Sequence, residues 1–285
     1  MYVITGATGA LNGATVDQLL KRVPASEIAV VARDTAKAQR FADLGIEVRR
    51  GDYAEPDSLA TAFAGADQVL LVSSSDPRAD AVALHGTAID AAVAAGAGRI
   101  LYTSHQGAGP QSPFHPAVDH FRTEQLLAES GTPWTSLRNG FYAHSLEWLM
   151  GPWRESGAIA IPADGPVSWT AREDSAEAAA IILASNGAYD GLTTITASAA
   201  PTYEEAAEIA SAVSGRTVSY ELLDEDDWIA RQVAAGAQEF MARFSLTMYQ
   251  AAARGDFAGT DPLLAELLGR EPRTVRELLE NPAAH

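Results

Sequence analysis

The sequence predicts an α/β protein, a doubly wound parallel sheet with a smaller C-terminal α+β lobe. Three observations predict it. A glycine-rich turn follows the first apolar run at once, apolar runs then alternate with helical patterns, and beyond Arg138 that alternation loosens. Continuous apolar strands alternating with helices indicate a parallel sheet covered on both faces. Right-handed crossovers favour the doubly wound order.

The first strand is Tyr2 to Ile4, and the turn runs Thr5-Gly6-Ala7-Thr8-Gly9-Ala10-Leu11-Asn12-Gly13 into an amphipathic stretch from Ala14 to Arg22. This is the strand–turn–helix start of a dinucleotide-binding Rossmann unit. Gly6 lets the chain turn tightly off the strand. Gly9 lets backbone N–H groups approach a pyrophosphate at the positive end of the helix. The alternative is a tight βα turn that holds no ligand. Asn12 stands where the pattern expects its third glycine, the one that packs the helix closely on the strand. Asn tolerates left-handed backbone better than most residues, so the turn is expected to survive with altered affinity or cofactor choice.

Glu27 to Ala32 reads as the second strand, Thr35 to Leu44 as its helix, and Ile46 to Arg49 as a short third strand before a helix from Ser58 to Ala64. Gln68 to Val72 is a continuous apolar strand, followed by an Ala-rich helix (Ala79 to Ala95) and a strand from Ile100 to Thr103. Gln106 to Ala117 is a loop rich in Gly, Pro and Ser. Val118 to Ser130 is helical, and Trp134 to Leu137 is the next strand. A short strand from Thr193 to Thr196 is assigned to the C-terminal lobe. The expected division is a nucleotide-binding domain over 1–138 and a substrate-binding lobe over 139–285, interleaved with the sheet edge.

Composition narrows the function classes. The chain has 285 residues, with 20 Lys and Arg against 37 Asp and Glu, a formal charge of −17. Such acidity repels phosphate backbones and anionic lipid, so neither nucleic acid nor a membrane surface is expected as a partner. There is no cysteine, which excludes disulfides, thiolate catalysis and zinc–thiolate sites. The first strand leaves no room for a signal peptide, and no apolar run approaches the ~20 residues of a membrane span. A cytoplasmic location is expected. Apolar helix faces serve either core or interface, which leaves a homodimer open.

Arg33 ends the second strand, where an arginine accommodates the 2′-phosphate of NADP and an acidic residue binds the ribose hydroxyl of NAD. Asp34 follows and mixes the signal, while Lys37 adds a second positive charge; NADP is favoured, with NAD allowed. The bland alternative is a surface Arg33–Asp34 pair. Ser73, Ser74 and Ser75 follow the fourth strand, either skirting the cofactor or forming an ordinary polar turn. His120, with Glu124 one helical turn on, is the main acid–base candidate, or else a simple helix-surface contact. The other histidines lack metal-ligand spacing, and no metal is expected. Conventional alcohol–ketone chemistry on this fold needs a tyrosine with a lysine four residues later. Tyr102 has Gln106 there and Tyr142 has Leu146, so neither makes that pair. Asn139 offers hydrogen bonds. Phe141 and Tyr142, with Trp148, Trp153 and Trp228, supply flat faces for either an aromatic-walled cleft or the core.

Read in order, these segments resemble the NmrA-like atypical short-chain dehydrogenase/reductase family. They are Gly6-Ala7-Thr8-Gly9, Val31-Ala32-Arg33, Gly51-Asp52-Tyr53, Ser73 to Ser75 and Tyr102-Thr103-Ser104. His120 with Thr123-Glu124, and Leu137-Arg138-Asn139-Gly140, belong to the same series. Within that family the chain is most similar to the type 2 NAD(P)H:quinone oxidoreductases and triphenylmethane reductase. The similarity extends from Val23-Pro24-Ala25-Ser26 to Leu267-Leu268-Gly269 and Leu278-Leu279. It departs at Asn12 and loosens between Ala199 and Gly259, the part expected to wall the substrate cleft.

The resemblance implies NADPH held by Gly6, Ala7, Thr8, Gly9, Ala10 and Leu11, by Arg33, by Ser73, Ser74 and Ser75, and by Asn139, Gly140, Phe141 and Tyr142. His120 and Tyr142 are the candidate catalytic side chains. A quinone accepts hydride readily and yields an anion far less basic than an alkoxide, which agrees with the missing Tyr–Lys pair. The leading expectation is an NADPH-dependent reductase of a quinone or similar flat aromatic acceptor. Two others stay open: a tailoring enzyme, reductase or oxygenase, acting on a polycyclic aromatic metabolite, and an NAD(P)-binding redox sensor without turnover.

Overall fold

The computed structural model describes residues 1–74 and 79–281. In chain order the elements of the first half are β1 (Tyr2–Thr5), α1 (Ala10–Leu19), β2 (Ile28–Ala32), α2 (Gln39–Ala42), β3 (Glu47–Arg50), α3 (Pro56–Ala62), β4 (Gln68–Leu71), α4 (Ala81–Ala94), β5 (Arg99–His105), α5 (His115–Glu129) and β6 (Trp134–Asn139). The rest are α6 (His144–Leu149), α7 (Trp153–Ser156), β7 (Ala158–Ile161), α8 (Arg172–Ala184), β8 (Gly191–Ile195), α9 (Tyr203–Ser214), β9 (Ser219–Leu222), α10 (Glu225–Ala234), α11 (Glu239–Ala253), α12 (Leu263–Leu268) and α13 (Val275–Glu280).

Seven strands form one sheet in the order β3-β2-β1-β4-β5-β6-β8. Every pairing in it is parallel, with Ile4 opposite Val30 on one side and Leu70 on the other. Strand alternation sends Ile4, Val30, Leu70, Leu101 and Leu137 to one face, where Val16 and Leu19 of α1, Phe41 and the α8 residues Ala178 and Ile182 cover them. The other face carries Val3, Val31, Val69, Leu71 and Ile100 under Leu59, Phe63, Ile89 and Leu127. Burial on both faces explains the continuous apolar runs. The order reverses between β1 and β4, and at such a switch point the carboxyl ends of the strands open a crevice.

The chain beyond 139 contributes to this sheet as well. Gly191–Ile195 is its seventh strand, paired with β6, so the strand read at Thr193 to Thr196 belongs to the sheet and not to the lobe. Thr193 and Thr194 interrupt the apolar run of this edge strand, which weakens its signal in the sequence. Helices α8 and α12 pack on the sheet too, through Ala178, Ile182 and Leu264, while the other C-terminal elements gather around a small parallel pair, β7–β9, and a third core rich in aromatic rings. No described helix is long and apolar enough to cross a membrane.

Candidate active site

The glycine turn lies at the switch point. Gly6 adopts φ +63°, and a Cβ there would come within 2.5 Å of Val72 Cγ1. Thr5 Oγ1 accepts the Val72 N–H at 2.8 Å and meets the buried Tyr53 hydroxyl at 2.6 Å, which ties β1 to the end of β4. Gly9 precedes α1 in extended backbone with no side-chain cap, and the first turn of α1 carries no acidic residue. Its leading N–H groups are therefore open to an anion, as are the exposed Thr8, Gly9 and Ala10 around them.

Asn12 proves compatible with this turn. It lies inside α1, buried, and its Nδ2 donates to the Thr5 carbonyl at 2.8 Å. Close packing passes to Gly13, where a Cβ would meet the Ala7 carbonyl oxygen at 2.9 Å. The departure is thus a displacement by one residue, with the amide stapling helix to strand. Leu11 is half-buried beside it, and Ala7 is buried.

Arg33 and Lys37 stand exposed past the end of β2 with no ion pair among the described residues. Asp34 is engaged elsewhere, accepting the Ala36 N–H at 3.1 Å as a cap, so the Arg33–Asp34 surface pair is not formed. The nearby Arg40 is held by Asp17 at 2.9 Å and stacks on Phe41. Among the described residues this leaves Arg33 and Lys37 uncommitted past the end of β2.

Beyond β4, the Ser73 N–H donates to Thr103 Oγ1 at 2.9 Å and the Ser74 N–H to His85 Nε2 at 2.7 Å. Ser75 lies outside the described residues. His85 Nδ1 meets Thr123 Oγ1 at 2.8 Å and Tyr102 hydroxyl at 3.4 Å, and that hydroxyl meets His120 Nδ1 at 2.8 Å. His120 stacks against His105, with ring centres 6.2 Å apart. Burial pushes His85 and His105 down to about 4. Burial first, and then the nearby His105, His85 and Arg138, hold His120 well below its ordinary value, and burial disfavours the charged form of all three rings. Burial also raises Tyr102 well above the usual phenol range.

Glu124 does not orient His120. Its carboxylate is buried and accepts from Arg138 Nη2 at 2.6 Å, Arg138 Nε at 2.9 Å, Ser104 at 2.8 Å and Ser136 at 2.7 Å. The pairing with Arg138 satisfies a charge that burial would otherwise make costly. His120 takes Tyr102 as its partner instead.

Asn139 ends β6, buried, and its Nδ2 donates to the Tyr142 hydroxyl at 3.3 Å while Oδ1 has no partner among the described residues. Gly140 is required by contact: a Cβ would lie 2.0 Å from Thr170 Oγ1. Burial pushes the Tyr142 hydroxyl up to about 12, and the ring stacks on His144. Phe141 packs on His105 at 5.4 Å and on Phe257 at 5.0 Å, and Trp169 closes on it from behind at 5.3 Å. Phe114 carries the ring series outward to Phe244 at 5.8 Å, which is exposed beside Phe240 and Met241. Trp153 and Trp228, considered as cleft walls, are core residues of the lobe, and Trp148 is exposed.

Sequence reasoning missed His85, His105 and the use of Tyr102. Judging Tyr102 only by its missing lysine hid the histidine it does contact. His105 was signalled by its place directly after Tyr102-Thr103-Ser104. His85 sits inside an Ala-rich helix and gave no sign.

The NmrA-like family model matches residues 2–277. Quinone oxidoreductase 2 of Escherichia coli is 34% identical over 97% of this chain and 96% of its own length. A crystal structure of NADPH-dependent quinone oxidoreductase from E. coli, complexed with NADPH, matches with TM-score 0.90 at 34% identity, covering 99% of this chain and 100% of that one. The triphenylmethane reductase of Citrobacter sp., complexed with NADP(H), matches with TM-score 0.88, 34% identity and the same coverage. The protein belongs to the NmrA-like family.

Proposed function

We propose that this protein is an NADPH-dependent oxidoreductase that reduces a quinone or a similar flat aromatic acceptor. The observation that carries the reading is the pairing of two unlike surfaces on one sheet edge. An uncapped helix N-terminus, with Arg33 and Lys37 unpaired among the described residues, lies at one end, and a histidine–tyrosine group backed by aromatic rings at the other. The relatives named for quinone and dye reduction, with NADPH or NADP(H) bound, support the same reading.

The Gly6–Leu11 turn and α1 fit the pyrophosphate, and Arg33 and Lys37 fit the 2′-phosphate. NADPH, when bound, supplies hydride. The protein's part is positioning, exclusion of water by the ring wall, and stabilisation of charge on the acceptor. No lysine is needed, because a hydroquinone anion is weakly basic and water can complete its protonation.

The test is a turnover panel with NADPH and NADH against menadione, a benzoquinone and a triphenylmethane dye. The reading expects acceptor-dependent oxidation, faster with NADPH. Tight NADPH binding with every acceptor inert would sink it and favour a sensor; turnover confined to a polycyclic metabolite would favour a tailoring enzyme.

A further inference from the structure

We infer that His120 acts as a neutral hydrogen-bond donor to the acceptor's oxygen through its Nε2–H, and that His85 is the positioning residue that fixes this tautomer through Thr123 and Tyr102. The inference rests on the proposed reductase reading only for the identity of the oxygen; the tautomer itself stands on the hydrogen-bond chain.

The direction of each bond follows from the first. The Ser74 backbone N–H is a donor in every state, so His85 Nε2, 2.7 Å away, must be the unprotonated nitrogen. The His85 proton then sits on Nδ1 and is donated to Thr123 Oγ1 at 2.8 Å. Thr123 spends its own proton on the Asp119 carbonyl, also at 2.8 Å. Tyr102 faces a donor at His85 Nδ1, 3.4 Å away, and turns its O–H to His120 Nδ1 at 2.8 Å. An imidazole that accepts at Nδ1 carries its proton at Nε2. His120 Nε2 has no partner among the described residues and the residue is only part-buried, which leaves that N–H free to meet a ligand.

The groups facing His120 keep it neutral. Tyr102 and His105 approach from β5, His85 from α4 and Arg138 from β6, while Asp119 and Glu124 lie on its own helix. Glu124 is taken up by Arg138, and Asp119 by His115 at 3.2 Å. A neutral imidazole is a poor proton source, since losing Nε2–H would leave an imidazolate or require Tyr102 to ionise. It is a good donor to charge as it develops. A quinone that takes up a hydride gains two electrons and one proton and becomes a hydroquinone monoanion, the hydride donor leaving as NADP⁺. His120 stabilises the resulting oxyanion, and a proton from water completes the hydroquinone.

Long-range ¹H–¹⁵N correlation of the histidine rings at pH 7, assigned with His120→Gln, reads the tautomer without turnover. The expected result is a neutral Nε2–H ring for His120 and a neutral Nδ1–H ring for His85. A charged His120, or one protonated at Nδ1, would overturn the inference whatever the activity panel shows. Tyr102→Phe keeps the ring and removes the donor, so the His120 signal should shift to a mixture of tautomers; an unchanged signal would refute the wiring. In turnover, His120→Ala should lower kcat by about 100-fold. His120→Gln, which keeps an N–H, should recover most of that loss, and the wild-type kcat should be flat between about pH 6 and 8. A kcat that falls as pH rises through about 6.5, with Gln no better than Ala, would mean that His120 is a general acid.

Discussion

The sheet and the lobe bury their apolar surface with different side chains. Both faces of the sheet are packed mainly by aliphatic residues such as Val16, Leu19, Leu59 and Ile89. The lobe closes on rings: Phe141, Trp153, Trp169, Tyr203, Tyr249 and Phe257. Aliphatic layers bind strands and helices into an edge that presents the backbone of the glycine turn. The aromatic core instead runs on into the site, because Phe141 and Phe257 touch His105 as well as one another. In the sheet, packing and function use different atoms. In the lobe they share them.

Substitutions can break that distinction. Glu124→Ala removes the partner of a half-buried Arg138 and is expected to cost about 3–5 kcal/mol, read by denaturant unfolding. Because Glu124 supports the sheet and not His120, the surviving folded fraction should keep its KM for menadione; a selective rise in KM would return Glu124 to the site. Trp169→Ala and Ile4→Ala should each cost about 2–5 kcal/mol. Only Trp169→Ala, which undercuts Phe141, should also raise KM for the acceptor. Equal KM values for the two variants would erase the contrast drawn between the two cores.

Smaller effects sharpen it. His85 and His105 are buried with values near 4, below the ordinary 6.5 they regain on unfolding. The unfolded chain therefore binds protons first, and the stability they contribute is present above about pH 6.5 and lost as pH falls toward about 4. The expected slope is up to about 1.4 kcal/mol per pH unit for each group, measured as the pH dependence of unfolding against a His105→Phe variant. A variant with the same slope as wild type would contradict this. Arg33→Ala should weaken NADPH by about tenfold and leave NADH unchanged, by calorimetric titration, as the loss of one charge-assisted contact. Equal weakening of both nucleotides would remove Arg33 from the 2′-phosphate.

What the sequence disclosed follows the same line. The turn from Gly6 to Gly13 and the strands through Leu137 were legible because glycine conformation and continuous apolar runs are local signals. β8 is harder to place because Thr193 and Thr194 break that run on an edge strand. The lobe was least legible, since Phe114, Phe141, Trp169 and Phe257 come together from distant segments with no common period. Partner choice was also hidden. Glu124 sits one turn from His120, yet its charge is answered by Arg138 on another element. The His85–Ser74 bond joins a helix to a loop that neither pattern links.

In the proposed reaction, reducing equivalents held at the sheet edge pass directly to a flat acceptor against the ring wall. Its most direct test is a single turnover: protein loaded with NADPH in less than molar excess, mixed anaerobically with menadione, with both reactants followed by absorbance. Direct transfer should make NADPH disappear and menadiol form in equal amounts, in one phase slowed by NADPH deuterated at the transferred position. Bound NADPH that persists in the presence of menadione would contradict it.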